Sequence, residues 1–435
     1  MWKALDYVDA ARFCNAHGAH ATTIDACRIG LSLDPDNAML HVYRACAFDE
    51  FGRSAEAVAD CEAAIRLDPG GHAAVLALIT LALVRERQGD GAGALAAARS
   101  AIAIEPADRE AHAALGTLLA WHGEYAAAWP ELECHWLDER LQFRRRFPDL
   151  TEWNGENIDG RRLLLVHGQG LGDMLQMLRY LPQVRARAAQ VLLECPHSML
   201  ELVRALHGAE NVFVTGTAPR ERFDAFARMM TLARICGEDG SPGRSGVPYI
   251  LAGDARKATW APRFAPRAGR LRAGIAWAGN PAHPNDRRRS IPLAAFAPLA
   301  QTPHVEWYAL QVGPHASDPA PPGLDLTRFD DAITGMSDTA AIVAQLDLVI
   351  TIDSSVAHLA GAMGAPVWLL LPWRPDWRWS PAAGDTPWYP TMRLFHAGEG
   401  SWPALLPEVA AALGATVRLG GGPSTTLGMT TWGEP

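Results

Sequence analysis

The chain has 435 residues, of which 49% are hydrophobic and 20% charged, and it carries a formal net charge of −9. This length predicts two or three domains, because a single hydrophobic core seldom serves so long a chain. The acidic balance argues against general nucleic-acid binding, and no apolar run is long enough to predict a membrane span. The seven cysteines lack any CxxC pair, which argues against a disulfide framework or a zinc site and favours a cytoplasmic location.

Residues 1–138 carry two signals that recur with the same spacing. Acidic-Pro pairs recur 34 and 37 residues apart, and glycines recur in step with them at intervals of 34, 37 and 34. These glycines are Gly18, Gly52, Gly89 and Gly123. Two helical segments in about 34 residues are typical of tetratricopeptide repeats (TPRs). We therefore expect an α-solenoid whose concave face binds a peptide or partner protein, the alternative being a scaffold or dimerisation arm.

The periodicity ends after residue 138. Residues 139–160 are rich in Pro, Gly, Asn and Arg and are predicted to form a linker, and residues 161–265 are predicted to form a first α/β domain. A buried strand over 162–166 leads into the turn HGQGLGD (167–173) and then into a helix. The glycine spacing is not GxGxxG and no Walker lysine follows, so the pattern does not favour a dinucleotide or P-loop site.

Asp173 is the candidate catalytic base of this turn. A carboxylate in the first turn of a helix is electrostatically favoured and tends to stay ionised. Beside a glycine turn that is open to a ligand, it can accept a proton from a hydroxyl group. The alternative is that Asp173 only caps the helix.

A second α/β domain is predicted over 270–418, followed by a disordered tail over 419–435. Its first strand ends in the loop NPAHPNDRRR (280–289). Three consecutive arginines after the carboxyl end of a strand can neutralise a diphosphate without a metal. The alternative is a solvated run of surface charge.

The stretch LDLVITIDSSVAHLAGAMGAPVWLLLP (346–372) predicts a strand, a capped helix and a parallel strand. Ligands of such sheets bind beyond the carboxyl ends of the strands, where helix N-termini present N–H groups to anions. Asp353, Ser354, Ser355 and His358 are expected at that edge, where they can hold a phosphorylated ligand. The alternative is that the first two cap the helix and that the histidine packs in the core.

Three motifs resemble those of a known family: NPAHPNDRRRSIP (280–292), DSSVAHLAGA (353–362) and PDWRW (375–379). They resemble bacterial TPR glycosyltransferases related to glycosyltransferase family 9, the ADP-heptose:lipopolysaccharide heptosyltransferases. The resemblance covers nearly the whole chain and implies a GT-B pair of Rossmann-like domains with the active site between them. It also implies metal-independent, inverting transfer from a nucleotide sugar. Repeats that precede a GT-B enzyme are similar to the arrangement in O-GlcNAc transferase, which glycosylates proteins.

The resemblance implies roles for individual residues. Asp173 matches the aspartate of the heptosyltransferase Gly-Asp pair, which is the proposed base. Arg289 stands where the heptosyltransferases carry a phosphate-binding lysine. Asp353 and Ser354 match their donor-contacting Asp-Thr pair, and His358 matches the histidine of the same motif. One departure is Gly168, which stands where relatives usually have glutamate.

We therefore expect an inverting glycosyltransferase with a nucleotide sugar as its donor substrate, no cofactor, and a protein, glycan or lipid acceptor. The residues assigned to its site are the base Asp173; the donor-binding Arg287, Arg288, Arg289, Asp353, Ser354, Ser355 and His358; the turn glycines Gly170 and Gly172; and candidate acceptor or sugar contacts His167, Gln169, Asp376 and Trp377. The sequence leaves open a non-catalytic TPR scaffold with a degenerate transferase domain, and it does not identify the sugar, the nucleotide, the acceptor or the oligomeric state.

Overall fold

The computed structural model divides the chain into two compact units. One unit comprises the described residues up to Asp138 together with Asp376–Pro381, and the other comprises the remaining described residues. The described residues are 4–218, 222–237, 246–264, 269–283, 285–329, 332–381, 383–398 and 402–418. Within these ranges, no helix combines the length and apolar character needed to cross a membrane. The predicted tail, 419–435, lies outside them.

The first unit consists of consecutive helix pairs. They are α1 (Ala4–Ala16), α2 (His20–Leu33), α3 (Ala38–Glu50), α4 (Ser54–Leu67), α5 (His72–Arg87), α6 (Gly91–Ile104), α7 (Arg109–Trp121) and α8 (Tyr125–His135). Each of the four recurring glycines follows the first helix of a pair and has φ between 70° and 80°. This left-handed conformation suits glycine and lets the second helix fold back on the first. The predicted α-solenoid is confirmed.

Polar side chains fix where several of these helices begin. Asn37 accepts a hydrogen bond from the N–H of Leu40 at 3.3 Å, and Asp108 accepts one from the N–H of Ala111 at 2.7 Å. Caps of this kind contribute about 1 kcal/mol each. The acidic-Pro turns that mark the repeats in the sequence are thus followed by capped helix starts.

The segment Asp376–Pro381 packs on the last repeat of the first unit. The indole Nε1 of Trp121 donates to the carbonyl oxygen of Asp376 at 3.2 Å. The rings of Trp129 and Trp377 meet edge to face, with centroids 5.2 Å apart, and Trp377 is only 7% exposed. The indole of Trp377 thus packs on an apolar surface that the buried Trp129 provides, and the assignment of Asp376 and Trp377 as acceptor or sugar contacts stays a prediction.

A parallel sheet forms the first α/β domain of the second unit. Its strands are β1 (Thr151–Glu152), β2 (Ile158–Val166), β3 (Ala188–Cys195), β4 (Val212–Val214) and β5 (Ala225–Arg228), in the order β1-β5-β2-β3-β4. Its helices are α9 (Leu137–Arg146), α10 (Leu171–Met177), α11 (Leu181–Arg185), α12 (Leu200–His207) and α13 (Leu232–Cys236). The strand order reverses between β2 and β5, so the loop after β2 opens at the crevice where such sheets bind ligands.

The predicted linker, 139–160, is instead part of this domain. Phe143 of α9 and Phe147, the residue directly after the helix, pack against strand residues that include Leu164 and Phe226. The arginines of α9 also have buried partners, since Arg146 donates to the fully buried carboxylate of Glu194. These two phenylalanines, four residues apart, form one apolar surface at the end of α9, which the neighbouring arginines obscured in the sequence.

A second parallel sheet follows. Its strands are β6 (Leu271–Ala276), β7 (Val305–Ala309), β8 (Leu326–Thr327), β9 (Leu348–Ile352), β10 (Val367–Leu371) and β11 (Met392–His396), in the order β11-β10-β9-β6-β7-β8. Its helices are α14 (Asp254–Trp260), α15 (Asp286–Arg289), α16 (Met336–Val343), α17 (Ser355–Ala362) and α18 (Trp402–Arg418). Both sheets are parallel with crossover helices, which confirms the predicted GT-B pair of Rossmann-like domains.

Helix α14 precedes the second sheet in the chain and packs against helix α16 of the same domain. The indole Nε1 of Trp260 donates to the buried carboxylate of Asp338 in α16 at 2.9 Å, and Arg256 pairs with the same carboxylate. Arg256 also pairs with Glu201 of α12. The last helix of the range assigned to the first α/β domain, 161–265, therefore contacts both domains.

Candidate functional site

The second sheet reverses its strand order between β6 and β9. The two strands run parallel with Ala276 opposite Thr351, so their carboxyl ends lie side by side. The loop after β6 carries the three arginines, and the turn after β9 carries Asp353. The predicted donor residues thus come from the two strands that border the crevice of this sheet.

Helix α17 begins directly after β9. Ser354 is its N-cap in an extended conformation (φ −152°, ψ 171°), and its side chain makes no capping hydrogen bond to the helix. Its hydroxyl instead lies 3.3 Å from that of Thr351 at the end of β9. The first N–H groups of the helix, beginning with that of Ser355, have no intrahelical carbonyl to bind. The first turn of α17 therefore retains the donors and the dipole that attract an anion.

Arg289 is the fixed member of the arginine run. Its Nε lies 3.5 Å from Oδ1 of the buried Asp286, and Asp286 also accepts the hydroxyl of Ser290 at 2.9 Å. That hydroxyl in turn accepts the N–H of Gly279 at 2.9 Å. A Cβ at Gly279 would come 2.7 Å from Nη2 of Arg289, so the guanidinium occupies space that only glycine leaves free. The side chains of Arg287 and Arg288 are exposed.

Gln311, a residue that no sequence motif marks, holds the backbone before this loop. Its Oε1 accepts the N–H groups of Trp277 and Ala278 at 3.0 and 2.9 Å, and its Nε2 donates to the carbonyl of Ala278. Gln311 is 8% exposed. Because this buried amide forms hydrogen bonds with three backbone groups, it holds the start of the loop after β6 in one conformation.

Asp173 lies in the first turn of α10, after the carboxyl end of β2. Its Oδ2 accepts the N–H of Gly170 at 2.7 Å, and its side chain remains partly exposed. Gly170, not Asp173, is the N-cap, and it has φ −71°. Asp173 therefore holds the turn from the third helical position, with its side chain at the start of α10.

Neither turn glycine is needed for a left-handed backbone, but Gly172 is needed for space. Neither Gly170 nor Gly172 has a positive φ. A Cβ at Gly172 would come 2.5 Å from Cδ2 and 3.1 Å from Nε2 of His358. Helices α10 and α17, from the two α/β domains of the same unit, therefore meet where the glycine before Asp173 contacts the imidazole.

His358 is 4% exposed and reaches both helix starts. Its Nδ1 lies 2.8 Å from the hydroxyl of Tyr389, and its Nε2 lies 3.9 Å from Oδ1 of Asp353. The burial of His358 agrees with the predicted alternative of a packed histidine. Its ring also lies close to Gly172, beside the candidate base, and to Asp353, a candidate donor ligand.

The residues that follow β2 complete this edge. His167 is partly buried, and burial lowers the pKa of its imidazole although the negative charge of Asp173 opposes the shift. At neutral pH the ring is therefore neutral and can accept or donate a proton. Gln169 is partly buried, and Gly168 is exposed.

Arg179 joins the two domains and was not selected from the sequence. It is 2% exposed, donates to the carbonyl of Trp388 at 2.9 Å, and lies over the ring of Tyr389 at 5.1 Å from the centroid. The local pattern LRYLP places one arginine in an apolar helical stretch, which was the only available signal of a buried charge.

No protein-family model matches the chain. It is 25% identical over 444 aligned residues to Protein FlbA of Caulobacter vibrioides, and the match covers 95% of this chain and 66% of that protein. The chain thus spans slightly less than two thirds of the length of this relative.

Two solved structures are similar to larger parts of the chain. The glycosyl transferase family 9 structure from Veillonella parvula is 13% identical, with a TM-score of 0.45, over 61% of this chain and 99% of that one. A mutant of the O-GlcNAc transferase of Thermobaculum terrenum is 15% identical, with a TM-score of 0.30, over 96% and 92%. Both TM-scores are below 0.5, so the functional assignment rests on the site itself.

Proposed function

We propose that the chain is an inverting glycosyltransferase that transfers a sugar from a nucleotide sugar to an acceptor hydroxyl. One observation carries the proposal: Gly172 contacts His358. This contact brings the first turn of α10, which holds a candidate base, to the first turn of α17, which holds candidate anion ligands. A base beside an anion-binding helix start is what a displacement at a phosphate-linked carbon requires.

The donor diphosphate binds at the crevice between β6 and β9. The guanidinium of Arg289 offers paired N–H donors with the geometry that a phosphate accepts. The first N–H groups of α17 add a second set of donors and the positive end of the helix dipole. Arg287 and Arg288, exposed on the same short helix, add positive charge around them. The α/β sequence has no DxD motif, so we assign the stabilisation of the diphosphate to these groups.

The chemical step is a single in-line displacement. The carboxylate of Asp173 takes the proton of the acceptor hydroxyl as its oxygen attacks the anomeric carbon of the sugar. The bond between the anomeric carbon and the diphosphate oxygen breaks, and its electron pair leaves with the nucleoside diphosphate. Arg289 and the N–H groups of α17 stabilise the charge that develops on the leaving group. Attack from the opposite face inverts the anomeric configuration.

His167 and Gln169 are assigned to the acceptor side, because they precede Asp173 on the same turn. The helical repeats are assigned to the recruitment of the acceptor or of a partner protein, since the concave face of a solenoid offers a long binding surface. Asp376 and Trp377 stay candidate sugar contacts, although Trp377 buries its indole against Trp129.

A thermal-shift screen tests donor binding. Wild-type protein is heated with UDP, ADP, GDP, CMP and their sugar conjugates, and a ligand at 100 times its Kd is expected to stabilise the binding unit by about 2.7 kcal/mol. Arg289→Gln is expected to weaken binding of the same nucleotide roughly ten- to a hundredfold, as for loss of a charge-assisted hydrogen bond. The matched control is Arg270→Gln, because Arg270 is exposed at the amino end of β6, where no ligand is expected.

The competing function is a non-catalytic scaffold that recruits partners through its repeats. It is favoured by Gly168, which is exposed where the family that the sequence resembles usually has glutamate. A scaffold with a degenerate site predicts no shift with any nucleotide, or equal shifts for the wild type and Arg289→Gln. A shift that depends on Arg289 and not on Arg270 contradicts it.

A further inference from the structure

The ring of His358 has two different neighbours. Its Nδ1 lies 2.8 Å from the hydroxyl oxygen of Tyr389, and its Nε2 lies 3.9 Å from Oδ1 of Asp353. In a neutral imidazole one nitrogen donates a hydrogen bond and the other accepts one. These two neighbours therefore determine which nitrogen carries the proton.

At 3.9 Å the carboxylate of Asp353 is too far from Nε2 for a hydrogen bond, but its negative charge favours a proton on the nitrogen that faces it. With the proton on Nε2, Nδ1 becomes the acceptor and the hydroxyl of Tyr389 donates to it. We propose that Tyr389 is a positioning residue that holds His358 in the Nε2–H tautomer, with this N–H directed at Asp353 beside the first turn of α10.

The position of Tyr389 is itself fixed from two sides. Gly361 lies one turn after His358 on α17, and a Cβ at Gly361 would come 2.6 Å from the tyrosine ring. The ring therefore packs directly on the helix backbone below the histidine. On the other side, Arg179 lies over the ring and donates to the carbonyl of Trp388 at 2.9 Å. Tyr389 has no exposed surface, so water does not compete for its hydroxyl.

This network ties the donor helix to the helix that carries the base. Arg179 follows α10 in the chain, so the tyrosine that orients His358 is held by the same segment of the first α/β domain. Gly172 contacts the other edge of the ring. The effect of this arrangement on catalysis rests on the proposed function, whereas the tautomer of His358 does not depend on it.

The test measures the tautomer and the kinetics separately. Protein labelled with ¹⁵N-histidine reports the protonation of each ring nitrogen, and the His358 signals are identified by their loss in His358→Gln. Tyr389→Phe removes the donor to Nδ1 and is expected to change the His358 nitrogen shifts and to lower kcat on the order of tenfold with little change in the donor KM. Tyr308→Phe is the matched control, because Tyr308 is a buried tyrosine of the second sheet whose hydroxyl donates to Glu306.

A second variant, Gly361→Ala, tests the same contact in case Tyr389→Phe fails to fold. Gly361→Ala keeps the hydroxyl and displaces the ring of Tyr389, so it is expected to change the same histidine signals. His358 signals that stay at the wild-type shifts in both variants would overturn the proposal, whatever the activity. A changed tautomer with wild-type kcat would overturn the positioning role. If the wild type turns over no sugar nucleotide, the proposed function fails, and the spectra still decide whether Tyr389 sets the tautomer.

Discussion

Gly172 has no side chain, and the imidazole of His358 occupies the space that a Cβ would need. Gly172→Ala must therefore move either the ring or helix α10, because 2.5 Å is far inside van der Waals contact. We expect a loss of turnover of about a hundredfold, as for a misplacement near 1 Å. Nucleotide binding should change much less, because Arg289 and the start of α17 lie in the other α/β domain.

Gly253→Ala is the control for this substitution. Gly253 also stands at the start of a helix, and a Cβ there meets no atom within 4 Å. Turnover by Gly172→Ala at the wild-type rate, measured with saturating donor, would show that the contact with His358 does not matter for catalysis.

The helix pairs of the repeat unit contain histidines that bridge two acceptors. His112 of α7 places Nδ1 on the carboxylate of Glu131 in α8 and Nε2 on the carbonyl of Pro106. Burial alone would lower the pKa of His112, but these two acceptors outweigh it and raise the pKa above 6.5. Both nitrogens face acceptors, so the arrangement is complete only in the protonated imidazolium. In an earlier repeat the ring nitrogens of His41 face the carboxylate of Asp60 and the carbonyl of Pro35.

A group whose pKa is raised by folding stabilises the fold fully below its unfolded pKa and loses this effect as the pH rises through its folded pKa. We therefore expect the repeat unit to lose stability from about pH 6.5 upward, by on the order of 1 kcal/mol or less for a partly exposed pair. Urea unfolding followed at several pH values measures it. Glu131→Gln should remove the contribution of His112 to the pH dependence, and an unchanged pH profile in this variant would contradict the assignment.

The last helix pair is covered by a segment that is distant in sequence. Trp377 buries its indole against Trp129. Trp377→Ala should therefore lower the free energy of unfolding of the repeat unit by about 3–5 kcal/mol, as for other buried aromatic truncations. Hydrogen exchange measured by mass spectrometry should become faster in peptides from α7 and α8. Trp402→Ala serves as the control, because Trp402 packs in the second α/β domain. Equal exchange in wild type and Trp377→Ala would contradict the contact.

Across the whole molecule, the features predicted best from the sequence are those that depend on the spacing of nearby residues. The repeat glycines and acidic-Pro pairs placed the turns of the solenoid, and buried strands followed by capped helices placed Asp353 and Asp173 after β9 and β2. These features depend on residues close together in the chain, where periodicity is informative. The roles of individual site residues stay predictions.

Contacts between distant segments were not predictable in the same way. Arg179 and Trp388 are 209 residues apart, and Trp121 and Asp376 are 255 apart. No local pattern predicts such pairs, because they form only when helices and loops that are distant in the sequence pack together. The same reason explains why the sequence did not predict the contact between Trp377 and Trp129. The apolar surface at the end of α9 was missed because charged residues surround Phe143 and Phe147.

The central claim is that this chain breaks the bond between a sugar and a nucleoside diphosphate, with Asp173 as the base. The most direct measurement is the release of nucleoside diphosphate from the sugar nucleotide that gives the largest thermal shift, compared between wild type and Asp173→Asn. Asp254→Asn is the control, because Asp254 is also an acidic residue in the first turn of a helix. We predict release by the wild type and the control, and a loss of about 10²–10⁴-fold in Asp173→Asn with donor binding retained. Equal release by Asp173→Asn would contradict the assigned base, and no release from any bound sugar nucleotide would contradict the transferase itself.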